Sequence, residues 1–361
     1  MCLSTSLSAQ ENFTLEAAIQ YALEHNANIR TGQLDIADAD QQIVENTATG
    51  LPRISAGLNY QNNIKLPTSL VPARFFDPNA GEDEFAKLQF GTNHNFSASL
   101  DLNWLALDGS YLVSLKAARM FRDLTEKNYH TTQKKVRNEV IQAYLPVLII
   151  SENLRILDKN IANLEKLRDE TKAIFESGFA EQLDVDRLDL SLANLRVERE
   201  NLVRQKETTL NYLKMTLGYP MDKPLYVADN LNGLFKEAAP ETLAGPVRFE
   251  DRPEYLAALK GIELNEVNVT RFKMMYYPSL RVFGSYQRAW QGNQLGSMQS
   301  FPSFFVGGGL SIPIFDGLGK KALIQRANIG LEKARIQKSE LERAILLEVQ
   351  NARIAYQNAK N

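Results

Sequence analysis

The sequence predicts a mixed α and β membrane protein, with long α-helical coiled-coil hairpins joined to four transmembrane β-strands. Three observations carry that expectation. About 100 residues from Ala118 to Leu217 contain one proline, Pro146, and one glycine, Gly178. Four segments alternate apolar and polar side chains over roughly 9 to 11 residues, the length with which a tilted strand crosses a bilayer. The order helix, strand, strand, long helix occurs twice.

Composition narrows the function classes. The chain has 361 residues, 44% of them hydrophobic, with a net charge of −2 and a pI near 6.1. No global basic field recruits nucleic acid. Cys2 is the one cysteine, which excludes internal disulfides and cysteine-rich metal sites. No apolar run approaches 18 residues, so no transmembrane helix is expected and a membrane role falls to the strands. Residues 1–12 read either as the remnant of a secretory signal or as a disordered terminus. Cys2 as a lipidation site lacks the apolar box that would precede it.

The first repeat covers residues 13–217. Thr14 suits the N-cap of a short amphipathic helix, and Glu16 its positive dipole end. Asn26-Ala27-Asn28 breaks the pattern, and a second helix runs to Thr49, where Gly50 and Pro52 stop it. The helical region is therefore 14–49. The period then changes to two. Ile54, Ala56, Leu58 and Tyr60 interleave with Ser55, Gly57, Asn59 and Gln61, giving a strand over 53–62. A loop rich in Pro, Asn, Gly and acids is expected from Asn62 to His94. A second strand at 95–105 interleaves Phe96, Ala98, Leu100, Leu102 and Trp104 with Ser97, Ser99, Asp101 and Asn103. Asp108-Gly109 turns the chain into the long hairpin at 118–217. Its outgoing helix ends at Glu176, roughly 88 Å along at 1.5 Å per residue. Its return helix starts near Leu183.

Residues 218–252 form a connector with a candidate short strand at Pro224–Val227. The second repeat covers 253–361. Tyr277-Pro278-Ser279-Leu280 reproduces Leu51-Pro52-Arg53-Ile54 at an offset of 226, and Asp316-Gly317 reproduces Asp108-Gly109 at 208. The second inter-strand loop is thus 18 residues shorter. Strands are expected at 279–289 and 303–314, with a long helix from Gly319. No returning helix follows, so the copy reads as incomplete and the sequence as truncated.

The polar strand faces offer Ser55, Asn59, Ser97, Ser99, Asp101 and Asn103 as the lining of a water-filled lumen. Tyr60, Phe96, Trp104, Tyr286 and Phe304 stand as interfacial girdle residues near strand ends. The alternative is a soluble four-stranded sheet packed on helices. Four strands cannot close a membrane barrel, and open edges are forbidden in lipid, so spanning strands require several chains to share one barrel.

Leu15-Glu16-Ala17-Ala18-Ile19, Ala22-Leu23-Glu24-His25-Asn26, Tyr277-Pro278-Ser279-Leu280, Leu310-Ser311-Ile312-Pro313-Ile314-Phe315-Asp316-Gly317, and Ser177-Gly178 ahead of Leu183-Asp184-Val185 occur in this order along nearly the whole chain. As a set they resemble the TolC outer membrane efflux family. The resemblance implies a homotrimer whose twelve-stranded barrel lies in outer membrane lipid of a Gram-negative cell and continues into a periplasmic α-barrel. It implies partners in a periplasmic adaptor and an inner-membrane pump or secretion transporter, and passive export without a cofactor. Pro146 departs from the family pattern and predicts a bend or a lost hydrogen bond. The alternative function is a soluble periplasmic coiled-coil scaffold with a small capping sheet.

Val185, Leu188, Leu192, Leu195 and Leu202 face Leu154, Leu157, Ile161 and Leu164 as a coiled-coil seam. Gly178 suits a left-handed helix terminus. The resemblance makes Gly178, Phe179, Leu183 and Asp184 an adaptor-docking tip. Asp184, Asp186 and Asp189 suit a helix N-terminus, or alternatively an acidic tunnel mouth. Gly307-Gly308-Gly309 and Gly317-Leu318-Gly319-Lys320 match no phosphate-loop spacing, and Asp108, Gly109, Asp316 and Gly317 read as strand-to-helix turns. His25, His94 and His130 are scattered, and no nucleophile, base and acid stand together. Neither a metal, a cofactor nor an enzymatic activity is expected.

Overall fold

A computed structural model describes residues 12–236 and 245–360. Cys2 and the rest of the signal-like stretch before Asn12 lie outside the described residues. The chain forms two compact units. One comprises residues up to Asp40, Phe121–Ile262 and Ala334 onward; the other comprises Gln41–Met120 and Glu263–Lys333.

In the first unit, β1 (Asn12–Phe13) pairs in parallel with β6 (Tyr226–Val227). Asn12 is therefore ordered strand, which corrects the expectation for residue 12, and the suspected strand near Pro224 is real. Thr14 caps α1 (Leu15–His25) by accepting the Ala17 N–H at 3.2 Å. α2 (Ala27–Thr49) follows the foreseen break at Asn26. The hairpin helices are α3 (Gly109–Glu176) and α4 (Gln182–Leu217). Val136, Val140, Ala143, Tyr144 and Val147 make one stripe at helical spacing on α3. They bury against Phe13, Ala18, Ala22, Ile29, Leu213 and Leu217. Inside this core the Tyr144 hydroxyl lies 2.8 Å from Phe13 O and 3.0 Å from Asp229 Oδ2, two acceptors for its one proton, while Leu15 N–H donates to the same carboxylate at 2.7 Å. Burial, with Asp229 beside it, pushes the Tyr144 phenol far above its ordinary value.

α3 corrects two expectations. It begins nine residues before Ala118, because Asp108 caps it: its Oδ1 accepts from Tyr111 N at 2.8 Å and Ser110 Oγ at 2.6 Å. It also contains the one described helix long and apolar enough to cross a membrane. Of that apolar stretch 33% is buried, and Val136, Val140, Ala143, Tyr144 and Val147 of the same helix pack in the core above. The helix runs unbroken through Pro146, whose missing N–H removes one rung of the ladder.

Farther along the hairpin, Leu157, Ile161 and Leu192 are buried, with Leu164, Leu195 and Leu202 packed on them. This is the expected seam. Arg199–Asp158 (2.6 Å), Arg196–Glu165 (2.7 Å) and Arg168–Asp189 (3.1 Å) flank it. The first unit also holds α5 (Leu231–Lys236) within the connector. Its portion of α6 (Pro253–Met274) meets that of α7 (Gly319–Lys360) through Tyr255 Oη–Glu342 at 3.3 Å, and Arg252, just ahead of α6, pairs with Glu348 of α7 at 3.2 Å.

The second unit is built on an antiparallel sheet of order β2 (Arg53–Asn62), β5 (His94–Leu107), β7 (Ser279–Gly292) and β8 (Gln299–Ser311). The three later strands start or end outside the expected ranges, and Ile312 and Ile314 fall beyond β8. The expected loop from Asn62 to His94 contains a second hairpin, β3 (Thr68–Pro72) with β4 (Phe85–Gln89). Pro67 and Pro72 mask its short alternation.

Candidate functional site

The sheet brings the expected lumen residues onto one face. Ser55 stands opposite Asp101, Asn59 opposite Ser97, Ser99 opposite Gly57 and Asn103 opposite Arg53. Asp101 is the hub. Its carboxylate accepts Ser99 Oγ at 2.9 Å and Ser285 Oγ at 2.7 Å. Ser285, contributed by β7 and buried, was not among the candidates from sequence. The signal was present in the alternation of β7, but only its register opposite Asp101 shows that it matters.

The opposite face is apolar and bare. Ile54, Leu58, Leu100, Phe304, Val306 and Leu310 are all more than half exposed, Leu58 at 76%. An uncovered face of this size is foreign to a soluble sheet and natural to one that meets lipid. At one end of the sheet Tyr60 Oη bonds His94 Nδ1 at 2.9 Å and Phe96 packs on Trp290 at 5.3 Å; at the other, Trp104 Nε1 donates to Gly50 O at 2.9 Å. These are the expected girdle positions. Tyr286 and Phe304 are not: they pair with each other in mid-strand, because β7 and β8 extend farther than the apolar alternation suggested.

The polar face departs from expectation in one respect. Phe283, Phe301 and Phe305 share it, since Phe305 stands opposite Ser285 and Phe283 opposite Asn103. Strand period alone could not foresee this, because β8 is aromatic on both faces.

The two Asp-Gly turns differ. Asp108 leads directly into α3, with Gly109 close to Met274: a Cβ there would lie 3.4 Å from Met274 Cβ. After Asp316 the chain takes two left-handed residues, Gly317 (φ +65°) and Leu318 (φ +70°). Asp316 Oδ2 then accepts Lys320 N at 2.9 Å, and that backbone bond, helped by the Lys320 ammonium, holds its carboxyl below the usual range.

At the hairpin tip Gly178 adopts φ +80°. Phe179 N–H reaches Ile174 O at 3.0 Å and Gly178 N–H reaches Phe175 O at 2.8 Å, the paired bonds of a Schellman terminus. Phe179 is 87% exposed and Leu183 half exposed. The three tip acids have local partners: Asp184 lies 3.9 Å from Arg187, Asp186 accepts from Gln182 at 2.8 Å, and Asp189 joins the ion pair with Arg168. Among the described residues no group of His, Cys, Asp and Glu could hold a metal ion.

A four-stranded sheet with one bare apolar and one polar face, carried by a chain whose other unit is a coiled-coil hairpin on a helical core, defines a class of mixed helical and stranded fold. Residues 18–219, more than half the chain, match the outer membrane efflux protein family, and the chain belongs to that family. The family places it in the outer membrane. It is similar to outer membrane protein OprJ of Pseudomonas aeruginosa, 25% identical over 89% of this chain and 63% of OprJ. It is also similar to nodulation protein T of Rhizobium leguminosarum bv. trifolii, 21% identical over 77% of this chain and 60% of that protein. The chain thus spans about three fifths of the length of these relatives. The fold is shared with the Campylobacter jejuni CmeC outer membrane channel, at a TM-score of 0.71 and 17% identity over 96% of this chain and 72% of that one.

Proposed function

We propose that this chain is the outer-membrane component of a tripartite efflux or type I secretion system and acts as a passive export channel. The observation that carries the proposal is the sheet. It has a bare apolar face, a hydrogen-bonded polar face and two unpaired edges, β2 and β8. Open edges cannot stand in lipid, and four strands cannot close. Three copies joined edge to edge give a twelve-stranded barrel, with Ser55, Asn59, Ser97, Ser99, Asp101 and Asn103 facing its water. The hairpins are then staves of a periplasmic tunnel, and energy for export comes from the inner-membrane pump. At the tip, Phe179 and Leu183 present apolar surface to a periplasmic adaptor, with Gly178 setting the reversal and Asp184 at its rim.

Membrane fractionation with crosslinking tests this reading. The full chain should sediment with outer membranes and crosslink to trimers through cysteines placed on β2 and β8. Recovery in the aqueous fraction, or crosslinked dimers alone, overturns it.

A further inference from the structure

Two guanidinium groups on the polar sheet face have no acidic partner among the described residues. Arg53 opens β2 opposite Asn103, which stands opposite Phe283; Arg281 stands opposite Leu105, one row farther along. Side-chain alternation puts all of these on the face that carries Asp101. The two arginines are two strands apart, about 10 Å across the sheet. Both border one depression of about 310 Å³, together with Asn103 and Phe283.

Across the four strands this face carries three charged residues, Arg53, Arg281 and Asp101. Asp101 is occupied by Ser99 and Ser285. Two positive charges against one negative leave the face at +1 per chain, in a chain whose total is −2. The lipid-facing side carries only Arg288, which stacks over Trp290 at 5.6 Å.

Phe283 is seated for contact. Its ring lies over Gly307, where a Cβ would come within 2.9 Å of it, and Phe305 meets it edge-on at 6.4 Å. Gly307, the first of the three consecutive glycines, therefore has a reason: it lets the ring lie across β8.

We infer that Arg53, Arg281 and Phe283 form a binding station for aromatic or amphipathic carboxylates on the luminal wall. The guanidiniums fork onto the carboxylate and the Phe283 ring takes the apolar body. The station rests on the channel reading above; in a threefold assembly six guanidiniums ring the lumen at this level.

Planar-bilayer recording of the full chain tests it, with benzoate as probe and benzylamine as control. Wild-type channels should pass chloride several-fold over potassium, and benzoate, not benzylamine, should reduce their conductance. Arg53→Gln with Arg281→Gln should lower the chloride preference at least threefold and abolish the benzoate effect. Phe283→Ala should weaken the benzoate effect while keeping the chloride preference. Conducting wild-type channels without chloride preference overturn the station, as does an unchanged ratio in the double variant. No wild-type channel at all overturns the channel reading, and the station with it.

Discussion

Replacing Leu58 with arginine puts the membrane reading of the sheet to its sharpest test. Leu58 lies mid-strand in β2, opposite Ala98, with 76% of its surface uncovered. If that face meets hydrocarbon, an arginine near the bilayer midplane costs about 2–4 kcal/mol per copy, or about 6–12 kcal/mol in a trimer. Asn59, one residue on, points to the opposite face, where an arginine would stand in water and change stability by less than about 0.5 kcal/mol. A soluble sheet would treat both as surface changes of that small size. The chain's two tryptophans, Trp104 and Trp290, both lie in this sheet. Their fluorescence reports its insertion and unfolding without a label. Guanidinium titration of protein refolded into lipid vesicles should therefore show Leu58→Arg strongly destabilised, or not inserted, and Asn59→Arg close to wild type. Equal midpoints for the two variants would refute the assignment of faces and the lipid contact it rests on.

Other expectations follow from the helical unit. Leu192→Ala, at a position 2% exposed between Leu157 and Ile161, should cost about 2–5 kcal/mol in chemical unfolding, whereas Leu190→Ala on the exposed side should be nearly silent. Phe179→Ala should leave trimers and stability unchanged yet reduce export of a pump substrate; undiminished export would remove the tip from the docking surface. Gly178→Ala should add about 1–2 kcal/mol of strain at φ +80° with no steric clash, since nothing lies within 4 Å of the added methyl. Glu254 accepts Lys134 Nζ at 2.7 Å; burial raises its carboxyl, but Lys134, its own backbone and Arg252 together hold it below the ordinary value of 4.5. A carboxylate depressed on folding stabilises the fold above that value and loses its contribution as pH falls through the folded value. Glu254→Gln should therefore flatten the decline in thermal stability below about pH 4.5, and an identical decline in both proteins would show that Glu254 contributes nothing.

Much of this protein was legible because its signals are local. Alternation over β2 and β5, the 3-4 spacing from Val185 to Leu202, Thr14 as cap and Gly178 as terminus each follow from chemistry within a few residues. The misreadings have local causes too. The start of α3 at Gly109 is hard to see in the sequence because Asp108 beside a glycine has the look of a turn, whereas its carboxylate caps the helix. The β3–β4 hairpin was lost behind its flanking prolines.

The sequence by itself determined the apolar faces of β2 and β5, which helices are long, and that the order helix, strand, strand, long helix occurs twice. Those properties are periodic, and a period is written into neighbouring residues. Only the tertiary structure decided which residues meet. Asp101 finds Ser285 across 184 positions, Leu15 finds Asp229 across 214, and Phe283 finds its seat on Gly307. Register between strands is set by distant pairing, so no local pattern could place two arginines and a phenylalanine beside one depression on the polar wall.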